Sequence, residues 1–157
     1  AVDFGVQIAH GTVRTYVMGD RGARNEPASP TDIDLMAKHV TEAVEAGALG
    51  FSTSRTLGHR AMNGEPVPGT FAAEDELFGL GYALRDAGRG GFELAPAGAD
   101  GQDLIKAKKE VEWMKKLSAE IGPWLPVIPM AVRIDPGISW GWKPSSRIRR
   151  QTASTCS

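Results

Sequence analysis

Phe4, Val6 and Ile8 alternate with Gly5 and Gln7 ahead of His10 and Gly11, a period of two that predicts a strand over residues 4–10 ending in a loop. Residues 19–30 (GDRGARNEPASP) mix Gly, Pro, Asn and charge, and read as an exposed connection. The period then changes. From Ser29-Pro30-Thr31 onward, Ile33, Met36, Ala37, Val40, Ala43 and Val44 recur at steps of three and four, and Gly47 stands where a helix ends. A helix with one buried face is expected there. A short apolar run over residues 48–54 ends in Ser52-Thr53-Ser54 and predicts a second strand.

The loop from Arg55 to Thr70 holds Gly58, Gly64, Pro66, Pro68 and Gly69 and is long for a connector, which marks it as functional. A second helix is expected over residues 72–87, with Glu74, Asp75 and Glu76 at the positive end of its dipole and Gly88 as its stop. Residues 91–95 predict a third strand. A third helix spans residues 103–121, with Leu104, Ile105, Val111, Met114 and Leu117 as its apolar stripe. Residues 125–134 form a last apolar stretch whose Pro126 and Pro129 suit the ends of a strand better than its middle.

Strands alternating with helices over short turns predict parallel pairing and right-handed crossovers, so the fold class is α/β. About four strands with three intervening helices cannot close a (β/α)8 barrel, which needs eight units and about 200–250 residues. The choice lies between a small open sheet and part of a barrel. No self-similar period of about 20–50 residues is visible.

Composition narrows this picture. The chain has 157 residues, with 18 Lys and Arg against 19 Asp and Glu and a net charge of −1. That size suits one domain or a piece of one. A near-neutral balance excludes a general electrostatic nucleic-acid binder, which needs a basic face. No stretch approaches the ~20 apolar residues of a membrane helix, and no signal-peptide pattern opens the chain. Cys156, the single cysteine, can make no internal disulfide. The chain reads as cytoplasmic. It begins at Ala1 without Met, which fits a processed start or a segment of a longer chain. Residues 1–136 are expected to fold. Residues 137–157, where Lys143, Arg147, Arg149 and Arg150 face no acidic residue, read as a basic disordered tail or an out-of-frame extension.

The histidines His10, His39 and His59 fall in no HxH, HExxH or Cys/His spacing. His10 ends the first expected strand, where parallel sheets bind ligands, and with Arg14 it forms His-x-x-x-Arg, which could hold an anionic group. The densest polar cluster is residues 52–60 (STSRTLGHR), in which Arg55, His59 and Arg60 could clamp a carboxylate. Residues 64–70 (GEPVPGT) lack the lysine of a phosphate loop, and their prolines remove amide donors. Glu93 is the one acidic residue within an expected strand.

The runs AHGTVRTYVMG (9–19), EAGALGFSTSRT (45–56) and GEPVPGT (64–70), in that order and with Glu112-Trp113-Met114 further on, resemble the N-acyl-D-amino-acid deacylase (D-aminoacylase) family of the amidohydrolase superfamily. The resemblance covers about residues 2–136. It implies a partial TIM-type (β/α)8 barrel and a metal-dependent hydrolase that splits N-acyl-D-amino acids into a carboxylate and a D-amino acid. Zinc would activate the water and an aspartate would move the proton. The family's early HxH motif, its later metal ligands and its catalytic Asp are absent from these residues, so the segment is expected to be inactive alone. Where the family places a metal-binding histidine, this chain has Phe92-Glu93-Leu94; His10 and Glu93 are its nearest metal candidates. The resemblance implies substrate contacts from Ser52, Arg55, His59 and Arg14. The expected partner is a small N-acyl-D-amino acid, with no nucleic acid or membrane, and open sheet edges would favour self-association. The competing expectation is a small α/β module that binds an anion without catalysis.

Overall fold

The computed structural model describes residues 2–98 and 104–121. The elements run β1 (Ile8–Ala9), α1 (His10–Met18), α2 (Asp20–Ala23), α3 (Pro30–Glu45), β2 (Gly50–Ser54), α4 (Glu74–Ala87), β3 (Gly91–Ala95) and α5 (Leu104–Ile121). Local chemistry sets the boundaries of α3 and α4. Ser29 and Asp32 form a reciprocal capping box at the start of α3, with Pro30 in its first turn. Ala73 precedes α4, whose first turn carries Glu74, Asp75 and Glu76, and Gly88 ends it in the left-handed region at φ 66°.

The three strands form one parallel sheet in the order β1-β2-β3. Ile8 pairs with Phe51 and Ala9 with Ser52, while β3 runs beside β2 with Phe51 opposite Phe92 and Ser52 opposite Glu93. Because side chains alternate along a strand, Ile8, Phe51, Phe92 and Leu94 share one face. That face carries the core, where they meet Met36, Val40 and Val44 of α3, Leu77, Leu80 and Leu84 of α4, and Trp113, Met114 and Leu117 of α5. Strands met in sequence order through right-handed crossovers place every crossover helix on the same side. The other face carries Ser52, Ser54 and Glu93, all half-buried.

Gly50 is required where β2 begins, because its backbone runs tight against Gly91 of β3. A Cβ on Gly50 would lie 2.0 Å from the Gly91 carbonyl oxygen, and Gly50 has φ 149°.

Several expectations change. The first strand is two residues rather than seven. Its partner β2 begins at Gly50, so upstream only the bond from Leu49 N–H to the Val6 carbonyl continues the pairing. His10 opens α1 instead of ending a strand. Residues 10–18 give no helical signal because Thr12, Val13, Thr15 and Val17 are β-branched and Gly11 is permissive. Burial of Val13, Arg14 and Met18 overrides that propensity. Part of the expected connection at 19–30 folds as α2. The second strand and second helix each start two residues later than expected, the third strand coincides, and the third helix is described from Leu104. Three strands, not four, stand among the described residues; the expected strand at 125–134 and the tail at 137–157 lie outside them. No described helix is long and apolar enough to cross a membrane.

Candidate functional site

The C-terminal ends of β2 and β3 deliver two polar groupings to opposite faces of the sheet. On the face without helices, Ser52 and Glu93 are in register, and Ser54 stands two residues further along. Ser54 Oγ and His59 Nδ1 lie 2.8 Å apart. The other ring nitrogen of His59 has no protein partner among the described residues, and the residue is exposed.

The loop from residue 55 to residue 70 is held at both ends. Arg55 Nε donates to both oxygens of Glu110 at 2.9 Å, another guanidinium nitrogen donates to the Ala72 carbonyl, and the group lies 5.7 Å over the Trp113 ring. At the far end Asn25 donates to the Pro66 and Val67 carbonyls at 3.3 Å and accepts from Gly69 N–H at 2.7 Å. An antiparallel bridge between Arg60 and Pro66 closes the middle.

On the helix-covered face sits a sealed cluster. His10, Arg14 and Glu76 are each 1% exposed. His10 Nδ1 is 2.8 Å from Thr53 Oγ1, and its Nε2 is 2.8 Å from Glu76 Oε1. Arg14 Nη1 donates to both Glu76 oxygens at 2.5 and 2.6 Å, and its Nη2 donates to the Glu26 carbonyl. With Glu76 ionised, Nε2 carries the imidazole proton and Nδ1 accepts from the Thr53 hydroxyl.

Burial pushes the His10 imidazole below its ordinary value, and the positive charges of Arg14 and Arg55 add to this; the bond and charge of Glu76 oppose it without prevailing. Burial raises Glu76, but the hydrogen bonds and charges of His10 and Arg14 outweigh it and hold the carboxyl below the usual range.

Hydroxyl, imidazole and carboxylate stand here in the order of a nucleophilic relay. The order stands largely closed off from solvent, with Thr53 only 7% exposed. It joins α1, α4 and β2.

The residues singled out by sequence therefore divide. Arg14 is fully buried against Glu76, and the anionic group that His-x-x-x-Arg holds is this internal carboxylate. Arg55 is occupied by Glu110, with side-chain exposures of 15% and 6% for the pair. Ser52 and Glu93 lie in register on the helix-free face, and His59 reaches that face through Ser54. His10 has both ring nitrogens engaged and offers none to a metal. No group of three or more His, Cys, Asp or Glu side chains comes together among the described residues. Sequence reasoning missed Glu76, whose place in the first turn of α4 suggested only a dipole role, and it missed Asn25 and Glu110. The one usable signal was the i, i+4 spacing of His10 and Arg14, which puts both on one helix face.

Comparison with protein family models, with curated proteins and with solved structures found no match to this chain.

Proposed function

We propose that β1, β2 and β3 form one arc of a (β/α)8 barrel, and that the arc belongs to a metal-dependent amidohydrolase acting on N-acyl-D-amino acids. The observation that carries the barrel reading is the strand order. Parallel strands met in sequence order with their crossover helices on one face are how a barrel is wound, an order that a doubly wound sheet keeps only within one half. The helix-free face would then look into the barrel, and its Ser52, Ser54, Glu93 and His59 lie at the C-terminal strand ends, where barrel enzymes work. The exposed Phe4, Val6 and Tyr16 beside β1 also suit an arc that another strand–helix unit covers. The substrate class rests on the motif order of residues 9–19, 45–56 and 64–70.

Zinc does not fit the described residues. Glu93 stands without a second and third ligand, and His10 is closed. No step is therefore routed through this arc. Its contribution is a polar wall, with His59 Nε2 and Glu93 as the groups that meet substrate.

Arg14 and Arg55 leave the proposed substrate contacts and become structural anchors. This also weighs against an anion-binding module, since two of its cations are already neutralised by Glu76 and Glu110.

The test is turnover. The chain with zinc and N-acetyl-D-amino acids should release no D-amino acid. A complete parent carrying this segment should release it, and should prefer it over the L-enantiomer. A parent that hydrolyses neither overturns the substrate class, and turnover by the chain alone overturns the arc.

A further inference from the structure

The segment from α1 through Asn25 touches the 55–70 loop at three places. A Cβ at Gly69 would lie 2.6 Å from His10 Nδ1, so the loop backbone rests directly on the imidazole ring. A Cβ at Gly11 would lie 3.1 Å from the Pro68 carbonyl oxygen. Asn25, held at φ 59°, makes the three hydrogen bonds to Pro66, Val67 and Gly69. Asn25 is the only non-glycine residue with positive φ among those described, a conformation that asparagine tolerates better than most.

We infer that the α1–α2 arm is a latch over the loop that carries His59, and that the latch opens when the buried His10 gains a proton. Three charged side chains bear on the ring: Glu76 from α4, Arg14 from its own helix, and Arg55 from the end of β2. Thr53 and Gly69, which also touch it, are uncharged. Glu76 already balances Arg14, so a protonated His10 leaves the sealed cluster with an unbalanced positive charge. Such a charge is relieved by water. The piece of backbone lying against the ring is the Gly69 end of the loop, so admitting water means lifting that end. This inference concerns the loop alone and stands whatever substrate the parent takes.

Amide hydrogen exchange on the full chain tests it. His59 is a second imidazole within the loop itself, so the reference protein carries His59→Gln. After correction for intrinsic rates, protection at Gly69 and Thr70 should fall about tenfold between pH 7 and pH 5, while the amides of β3 keep theirs. His10→Gln added to this background should abolish the step. Asn25→Gly preserves the backbone conformation and removes the three bonds; it should lower Gly69 protection at pH 7 and leave no further step. Should His10→Gln fail to fold, Asn25→Gly decides. The latch is overturned by a flat reference profile, by a step that survives His10→Gln, by equal loss in β3, or by Asn25→Gly behaving as the reference.

Discussion

Arg14 and Glu76 lie 62 positions apart, yet one guanidinium nitrogen meets both carboxylate oxygens at 2.5 and 2.6 Å in a site closed to water. This pair fastens α1, an element of poor intrinsic propensity, to the first turn of α4. Removing one member leaves an uncompensated buried charge. Glu76→Ala should therefore cost about 3–5 kcal/mol of unfolding free energy, read from urea titration. A loss below about 1 kcal/mol would show that the pair carries no such role.

Stability should depend on pH through the two titratable groups of the sealed cluster. His10 is lowered when folded, so the unfolded chain binds the proton first, and stability falls as pH drops below the ordinary value of 6.5 toward the folded value. Glu76 is also lowered, so its contribution is present above the ordinary 4.5 and is lost as pH falls from there through its folded value. Urea midpoints at pH 7.5, 6 and 5 should decline, and His10→Gln should flatten the part between pH 6.5 and 5. A midpoint that rises on acidification over that interval contradicts the assignment.

Arg55 separates an anchor from a substrate clamp. Arg55→Ala breaks the contacts with Glu110, the Ala72 carbonyl and Trp113, and should destabilise the chain by about 2–3 kcal/mol with a change in Trp113 fluorescence. In a parent enzyme a pure clamp would raise KM with stability untouched, and that result would restore the substrate role.

The capping box supplies a local control. Ser29→Ala removes the acceptor for Asp32 N–H and should cost about 1 kcal/mol without altering the pH profile between 7.5 and 5. No measurable cost would mean that tertiary contacts alone define the start of α3.

The apolar side chains beside β1 suggest that it pairs with further chain. Sedimentation of the purified protein should show association that grows with concentration, and Val6→Lys should reduce it. Ideal monomer behaviour up to high concentration would contradict an open edge.

Much of the fold was legible because its signals are local. Ser29 and Gly47 bracket α3, the acidic turn and Gly88 bracket α4, and residues 91–95 read directly as β3. α1 was illegible because burial overrides its β-branched residues, and burial is not local information. The site divided for the same reason. The spacing of His10 and Arg14 announced an anion holder, but only the folded chain shows that the anion is Glu76. Arg55 likewise looked free in the sequence, because Glu110 stands 55 positions away.

The most direct test of the barrel-arc reading is the coding DNA on both sides of this segment, translated in all three forward frames. The account predicts an HxH motif on a strand-like stretch upstream and further strand–helix units downstream. A start codon immediately before Ala1 and a stop after Ser157, with no barrel-like sequence in any flanking frame, would contradict it.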